Sequence, residues 1–361
     1  MMRRRLGALL CVVLVVAAAW LGGRGYGDRR DPGWAEVAPG VFRSPGLPAG
    51  YALVVAWARR FGEIEALGIE GTGSYGAGLA RYLRAKGYQV LEVMRPKRQH
   101  RRQHGKSDPA DADAAASAVL SGDALGVPKA QNGPVESIRV LRVARRGAVK
   151  ARTQAINAMR ALVVTAPEEL RGQLRGRSAA RLVAARAALR PITPTEPASA
   201  TRVALRSLAR RYQALDKEVE ALERELDRLV AATATSLVAR KGVGTDSAGA
   251  LLAAVGDNPE RLRSEAALAA LCGTSPVEAS SGKVTRHRLN RGGDRQANAA
   301  LYRIVINRLS WDERTKHYMA RRTAEGKTTK EIIRCLKRYV VREIHRELKS
   351  CFTNNSATAA A

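Results

Sequence analysis

The sequence predicts an α/β domain followed by a long, mostly helical region. Two apolar runs support the α/β domain: Ala66–Glu70 ends in a glycine-rich turn that opens a helix, and Tyr88–Met94 follows that helix. Strand, turn, helix and strand in this order form a unit with buried parallel strands. The third observation is the composition of residues 134–234, which are almost all helix formers.

The elements of the α/β domain are expected in a definite order. Residues 24–40, rich in Gly, Arg, Asp and Pro, are interpreted as a linker. Ser107 is suited to cap a helix that is predicted to begin at Asp108. The pattern predicts a helix over Pro48–Arg60, a strand over Glu65–Glu70, a helix over Tyr75–Lys86, a strand over Tyr88–Met94 and a helix from Asp108 to about Ser121.

The helical region contains one regular hydrophobic pattern. Two interpretations fit it equally: an antiparallel pair with an earlier helix over Ala155–Val164, or a coiled-coil seam that joins two chains. The residues with this coiled-coil spacing are Leu215, Val219, Leu222, Leu226 and Leu229.

Farther along the chain, the Gly242-Val243-Gly244 turn predicts a helical hairpin. Such a turn either presents backbone N–H groups to a phosphate or only packs two helices together. The small residues near the C-terminus predict a disordered tail. We therefore expect five segments, which cover residues 1–40, 41–125, 126–236, 237–349 and 350–361.

The charge of the chain predicts a polyanionic partner. The 361 residues include 62 Lys and Arg against 33 Asp and Glu, which gives a net charge of +29. Because the basic residues are spread along the whole length, nucleic acid is favoured over a membrane surface. The four cysteines form no CxxC pair, so neither a zinc site nor a disulfide framework is predicted. We expect a cytoplasmic, nucleoid-associated protein with reduced cysteines.

The N-terminus conflicts with a cytoplasmic location. Arg3–Arg5 precede the apolar stretch Leu6–Gly23, a pattern typical of a signal peptide or a short membrane anchor. The alternative is a displaced start or a frameshift that produces an apolar stretch by chance. We favour this alternative and keep a membrane anchor as the lesser one.

Three carboxylates have the spacing of a magnesium site. Glu70 is expected at the carboxyl end of a strand, and Asp108 and Asp111 one helical turn apart at the start of a helix. Each aspartate alone would be an ordinary acid at a helix N-terminus. Together with Glu70 they are suited to hold Mg²⁺, which assists phosphoryl transfer on nucleic acid.

The second candidate site is a serine in a basic loop. Ser281 precedes Gly282 in a run of small residues. A serine there can attack a phosphodiester while neighbouring guanidinium groups neutralise the developing charge. Taken alone, the loop also fits a Ser-Gly turn that binds phosphate. The basic residues expected to bind nucleic acid are Arg98, Arg101, Arg102, Lys106, Lys283, Arg286, Arg288, Arg291 and Arg295.

These motifs resemble a known family. The segments GIEGTGSYGAGLARYLRAKGYQVLEV, GKSDPADADAAASAVL, GVGTDSAGALLAAVGD and SSGKVTRHRLNRGGDRQANAALY are similar to the DEDD-type insertion-sequence transposases, the bridge-RNA-guided serine recombinases. The resemblance covers roughly residues 41–348 in order. It implies an α/β domain of the RNase H-like (RuvC-like) class, a coiled-coil segment and an α-rich C-terminal transposase domain.

The resemblance also implies roles for single residues. Glu70, Asp108 and Asp111 would be the second, third and fourth magnesium carboxylates. Ser281, or the adjacent Ser280, would form a covalent link to DNA. The expected partners are a structured guide RNA, two DNAs and a second copy of the chain.

The sequence departs from this family at its N-terminus. The family opens with a strand that carries the first catalytic Asp, whereas residues 1–40 here are apolar or rich in Gly, Arg and Pro. Asp28 and Asp31 lie in the predicted linker, so neither is assigned this role. We therefore expect an α/β domain that is incomplete at its N-terminus, with a central strand missing and an apolar edge exposed.

The sequence thus predicts an insertion-sequence transposase that exchanges DNA strands through magnesium-dependent serine chemistry. We hypothesise that this copy is impaired because its first metal carboxylate is missing. One alternative is a remnant that binds DNA or RNA without catalysis. A membrane-anchored basic protein is the less favoured alternative.

Overall fold

The computed structural model describes residues 10–14, 35–38, 41–43, 48–60, 62–93, 115–122, 126–190, 193–282 and 286–359. The chain forms two compact units, an N-terminal unit, Met1–Gln131, and a C-terminal unit, Asn132–Ala361. No helix in these ranges is long and apolar enough to cross a membrane.

In its described residues, the N-terminal unit is built around a parallel sheet. The strands of this sheet are β1 (Leu10–Leu14), β4 (Ile64–Glu70) and β5 (Val90–Val93), and β4 lies between the other two. The middle residues of β4 are buried, as a strand covered on both faces requires. Between β1 and β4 in the chain, β2 (Ala35–Ala38) and β3 (Val41–Arg43) pair antiparallel as a separate sheet.

Helices cover both faces of the parallel sheet. On one face, α1 (Pro48–Arg59) and α2 (Ala77–Ala85) enclose a core of Ala58, Leu67, Ile69, Leu79, Ala80, Leu83 and Val90. On the other face, α3 (115–120) packs Ala115 against Val93. A Cβ on Gly68 would lie 2.7 Å from Val119 of α3. Since side chains alternate along a strand, Glu70 shares the α3 face with Gly68.

The apolar N-terminus supplies a strand, which corrects the expectation that the central partner of β4 is missing. β1 runs parallel to β4, with Val13 beside Gly68 and Leu14 beside Ile69. Pairing of parallel strands depends on backbone groups, so a short β-branched run can cover the edge of β4 whatever precedes it. Part of the predicted linker likewise forms β2. β1 carries no carboxylate, so the first metal ligand is still not found.

The remaining elements predicted for this domain are present with nearly the predicted bounds. α1, β4, α2 and β5 lie within the predicted ranges or differ by one residue. α2 ends before Gly87, whose φ of +84° ends the helix without strain. The helix predicted from Asp108 is described only over 115–120.

Two long helices of the C-terminal unit form an antiparallel pair. They are α4 (Pro134–Thr165) and α7 (Pro197–Thr233). Arg145 pairs with Glu223 and Arg152 with Asp216, so residue numbers rise along α4 while they fall along α7. Val219 and Leu226 of the hydrophobic repeat are buried. The repeat therefore packs within the chain, but against the part of α4 that carries Arg145 and Arg152 and not against the predicted Ala155–Val164. A seam between two chains stays a prediction.

One end of this pair carries a small helical core. α5 (Glu168–Leu174) and α6 (Ala179–Ala187) lie between the two long helices in the chain and pack against them. Ile156 and Met159 of α4 contact this core together with Leu205 and Ala209 of α7. The predicted partner helix over Ala155–Val164 thus packs against the first half of α7.

The larger core of the C-terminal unit surrounds α9. The helices of this part are α8 (Thr235–Val238), α9 (Thr245–Val255), α10 (Glu265–Leu271), α11 (Arg295–Trp311), α12 (Glu313–Ala324) and α13 (Thr329–Ala359). α13 continues through most of the tail predicted to be disordered, which corrects that expectation for residues 350–359. Leu348 and Cys351 of α13 are buried, and the helix continues from these packed residues to Ala359.

Candidate active site

Glu70 lies where β4 ends and a glycine-rich turn begins. Gly71 has a φ of +68°, a conformation that favours glycine. Gly76 N donates to Gly71 O at 3.1 Å and closes the turn ahead of α2. A Cβ on Gly76 would lie 2.8 Å from Glu70 O, so the close approach also requires glycine. The turn therefore fixes the backbone of Glu70, whose side chain is half-buried on the α3 face.

A hydrogen-bond network that the sequence did not reveal anchors this turn. Thr72 is 2% exposed, and its Oγ1 donates to Glu92 Oε1 at 2.7 Å. Gln131 Nε2 donates to Thr72 O at 3.4 Å, and Arg81 Nη1 donates to Gln131 Oε1 at 3.3 Å. These residues come from separate segments, so no local pattern joins them. Glu92 lies beside Ile69, on the face opposite to Glu70, and so does not replace the missing metal ligand.

One of the three predicted magnesium ligands lies in the described part of the chain. Asp108 and Asp111 lie outside it, as do Arg98, Arg101, Arg102 and Lys106. Within the described residues, no group of three His, Cys, Asp or Glu side chains is arranged to hold a metal ion. Glu70 is an oxygen donor of the kind that Mg²⁺ prefers. The complete set of three carboxylates therefore stays a prediction.

The predicted nucleophile lies on a short hairpin. β6 (Val277–Glu278) pairs antiparallel with β7 (His287–Arg288), and we call these strands with residues 279–282 the serine hairpin. Ser280 Oγ accepts a hydrogen bond from Arg286 N at 3.2 Å. Ser281 is exposed and precedes Gly282, which has a φ of +57°. The Ser280 hydroxyl is thus engaged within the hairpin, and Ser281 presents its side chain to solvent.

Two glycines close the base of the serine hairpin. Gly273 and Gly293 have φ values of +62° and +82°. A Cβ on Gly273 would lie 2.3 Å from Gly292 O, and one on Gly293 would lie 2.5 Å from Gly273 N. Asp294 N donates to Leu271 O at 2.6 Å. The two ends of the hairpin therefore meet through a backbone approach that no other residue type permits.

α11 and α13 hold this base from the protein interior. Asn298 Nδ2 donates to Cys272 O at 2.7 Å and to Gly273 O at 3.2 Å. Asn298 Oδ1 accepts from Lys337 Nζ at 2.9 Å. Burial, followed by the nearby Asp294, raises the pKa of Cys272 to about 12, so this thiol is not a nucleophile at neutral pH. The sequence does not reveal that Lys337 pairs with Asn298, because α13 lies far from the hairpin in the chain.

The arginines predicted to bind phosphate lie on β7 of the serine hairpin or close to it in the chain. Arg286, Arg288, Arg291 and Arg295 are exposed, and none forms an ion pair with a described carboxylate. Lys283 lies outside the described residues. Positive charge that is not neutralised within the protein attracts a phosphate backbone.

The Gly242–Gly244 turn leads into α9, whose first turn carries Asp246. Arg142 Nη1 donates to Asp246 Oδ1 at 2.6 Å, and Arg303 Nη2 donates to Oδ2 at 2.7 Å. Burial alone would raise the pKa of Asp246, but Arg142, Arg303 and Arg145 outweigh burial and lower it. The Asp246 carboxylate thus supplies the negative charge that the N-terminus of α9 would otherwise attract from a ligand. This favours the packing interpretation of the turn over a phosphate site.

Comparison with known proteins matches the two parts of the chain that contain the candidate site residues to transposase families. A DEDD transposase model of IS110 type matches residues 43–166, which include Glu70, Asp108 and Asp111, and it implies an RNase H-like fold for this region. A second model, described as the transposase IS116/IS110/IS902 family, matches residues 234–320, which include Ser281. Together the two matches cover more than half of the chain.

The chain is also similar to a curated protein, the insertion element IS110 uncharacterized 43.6 kDa protein of Streptomyces coelicolor. The two are 33% identical over 125 residues, which are 34% of this chain and 31% of the relative. The match thus spans about a third of the relative's length. With both family models in chain order, the conclusion is that this chain belongs to the IS116/IS110/IS902 family of transposases.

Proposed function

We propose that this protein is a transposase that cleaves and rejoins DNA strands with Ser281 as its nucleophile, directed by a structured guide RNA. The serine hairpin carries the proposal. It presents an exposed Ser281 on a base closed by Gly273 and Gly293, and the exposed arginines near it in the chain form no ion pair with a carboxylate that the structure describes. Ser280 is the less suitable nucleophile, because its hydroxyl is bonded to the backbone of Arg286.

The proposed step exchanges one phosphate ester for another. Ser281 Oγ loses its proton and attacks the phosphorus atom, and a deoxyribose oxygen leaves and takes up a proton. The product is a phosphoserine link between protein and DNA. Attack by the hydroxyl of a second strand end reverses the step and releases Ser281. Arg286 and Arg288 would stabilise the charge on the phosphate oxygens during both steps.

Glu70, Asp108 and Asp111 are the residues that would hold Mg²⁺. Glu70 lies on the α3 face, and Asp111 precedes Ala115 of α3 by four residues. A bound Mg²⁺ would supply positive charge at phosphate oxygens. Because β1 has no carboxylate, we propose that this copy holds the ion weakly and reacts slowly.

A covalent-adduct assay tests the proposed chemistry. The full-length protein is incubated with Mg²⁺, RNA transcribed from the DNA that flanks its gene, and labelled donor and target DNA. We expect a denaturant-resistant protein–DNA adduct for the wild type and for Ser280→Ala, and none for Ser281→Ala. An adduct that survives Ser281→Ala and disappears in Ser280→Ala would transfer the role to Ser280.

A second candidate function is binding of nucleic acid without catalysis. The absence of a carboxylate in β1 favours it, because a metal site without its first ligand can lose activity while the basic surface is retained. Binding without catalysis would be supported if the wild type, Ser280→Ala and Ser281→Ala all bind DNA in a salt-sensitive manner and none forms an adduct.

A further inference from the structure

A cavity of about 530 Å³ lies beside the serine hairpin in the C-terminal unit. Its walls come from Thr274–Pro276, the β7 segment, the C-terminal end of α12 and the first half of α13. We call it the α13 pocket. Its volume lies in the range of pockets that enclose small ligands, and it is large enough for a single nucleotide.

The lining of the α13 pocket is strongly cationic, with eight Arg and Lys residues against two Glu. Both glutamates already have partners. Glu325 forms ion pairs with Arg321 and Arg322. Glu331 Oε2 accepts from Thr328 Oγ1 at 2.7 Å, and Glu331 Oε1 lies 3.9 Å from Arg334 Nη2. Their charge is therefore largely used within the protein.

Several cations of the lining have no such compensation. Arg288, Lys327 and Lys337 form no ion pair with any carboxylate in the described ranges, whereas Arg286 is close enough to Glu331 to help lower the pKa of that carboxyl. Arg288 belongs to the β7 side of the pocket, and the two lysines belong to the α12–α13 side. The cavity thus has uncompensated positive charge on opposite walls, an arrangement that suits an anion between them.

Lys337 is the most deeply buried of these cations. It is 6% exposed, and its Nζ donates to the neutral amide oxygen of Asn298. The carbonyls of Cys272 and Gly273 hold that amide in place, so it cannot turn away. Burial, together with the nearby Arg334, lowers the pKa of Lys337. A buried ammonium is costly unless an anion compensates it, and the pocket gives an anion access to this one.

Two tyrosines form an aromatic wall of the pocket. The rings of Tyr318 and Tyr339 meet edge to face, with centroids 5.6 Å apart. Tyr339 is 47% exposed, and the guanidinium of Arg342 lies 5.5 Å from its ring centroid. A nucleotide combines a flat base with a phosphate, and an exposed ring near a buried cation offers a contact for each part.

We propose that the α13 pocket receives one unpaired nucleotide of a nucleic acid strand, with its phosphate at Lys337 and Arg288 and its base against Tyr339. This inference rests on the proposed function, since β7 is at once a wall of the pocket and a strand of the serine hairpin. The base must be unpaired, because a duplex keeps its bases stacked and out of reach. The strand that passes Ser281 is therefore opened next to the reacting phosphate.

Binding to defined strands tests the pocket. The full-length protein is titrated with oligothymidine, oligouridine and a blunt DNA duplex, and fluorescence anisotropy reports the affinity. We expect Tyr339→Ala to weaken binding of the preferred single strand by roughly 5- to 100-fold while duplex binding is retained. The tighter of the two single strands identifies DNA or RNA as the source of the nucleotide.

Two matched controls make the test specific. Tyr302 is exposed on α11 to the same extent as Tyr339 and does not line the pocket, so Tyr302→Ala is expected to leave binding unchanged. Lys337→Met is compared with Lys330→Met, a change at an exposed lysine of α13. We expect Lys337→Met to weaken single-strand binding without unfolding the protein, since it removes a buried charge. Equal losses in Tyr339→Ala and Tyr302→Ala, or no loss in either, would overturn the proposal.

Cys335 gives an independent readout because it lines the pocket and is only half-buried. Saturating oligonucleotide should slow its alkylation by a maleimide, measured by peptide mass spectrometry. An unchanged rate of Cys335 alkylation at saturation would contradict nucleotide binding in the α13 pocket. If a Ser281 adduct forms but Cys335 is not protected, only the proposal for the pocket is wrong. If Cys335 is protected but no adduct forms, only the proposal for Ser281 is wrong.

Discussion

Asp246 links three helices of the C-terminal unit at the scale of one residue. The carboxylate begins α9, and it receives Arg142 and Arg145 from α4 and Arg303 from α11. Arg142 lies 104 residues away in the chain. In the sequence Asp246 has only the features of an ordinary first-turn acid, so its role as a junction could not be predicted. The role of Lys337 could not be predicted either, because its partner Asn298 lies on another helix.

We expect Asp246→Asn to reduce the loss of stability in acid. The three arginines hold the folded pKa of Asp246 below its unfolded value, which is about 3.9. The ionised group therefore stabilises the fold above about pH 4, and this contribution disappears as the pH falls through the folded pKa. The side chain is 41% exposed, so solvent limits the effect to roughly 1 kcal/mol.

Urea denaturation near neutral pH and at about pH 3 measures this difference. The substitution should lower the free energy of unfolding at neutral pH and change it little in acid. Asp227→Asn is the control, since Asp227 is exposed on α7 and forms no ion pair with a described residue. Equal pH dependence in the two variants would contradict the assigned role.

At the scale of elements, the parallel sheet contains strands that the sequence pattern predicts and one strand that it does not. β4, α2 and β5 follow from local periodicity and the glycine-rich turn, and the structure confirms them. β1 was not predicted, because its apolar run has the features of a leader segment and its strand partner is more than fifty residues away. The closed base of the serine hairpin was missed for the same reason: Gly273 and Gly293 meet only in space.

The register of β1 indicates where a first carboxylate would have to stand. Val13 lies beside Gly68, so it belongs to the same face of the sheet as Glu70. We expect Val13→Asp to raise the yield of the Ser281 adduct at limiting Mg²⁺ by about tenfold or more, because it adds a metal ligand on that face.

Val12→Asp provides a matched control for this gain. Val12 lies beside Leu67, on the face that packs against α1 and α2, so its replacement should destabilise the sheet and add no activity. The adduct assay with a magnesium titration compares both variants with the wild type. Equal yields for Val13→Asp and the wild type at every Mg²⁺ concentration would contradict the register argument.

At the scale of the whole molecule, the candidate chemistry is divided between two units. Glu70 belongs to the N-terminal unit, whereas Ser281, the arginines around it and the α13 pocket belong to the C-terminal unit. Both the larger and the smaller core of the C-terminal unit consist of its own residues. A domain with its own core can fold alone. The division therefore allows strand binding and metal-dependent chemistry to be separated by experiment.

We expect the fragment 132–361 to fold cooperatively, to bind single strands and to form no adduct. Its two cores should give a thermal transition by circular dichroism, and oligothymidine should protect Cys335 as in the full chain, because every residue of the α13 pocket is retained. Adduct formation should be lost, since the predicted magnesium ligands are removed with the N-terminal unit. The same fragment with Tyr339→Ala controls for non-specific attraction to a basic protein. An adduct yield equal to that of the full chain would show that Glu70, Asp108 and Asp111 do not support the serine, and the metal site would then have to be sought among the carboxylates of the C-terminal unit.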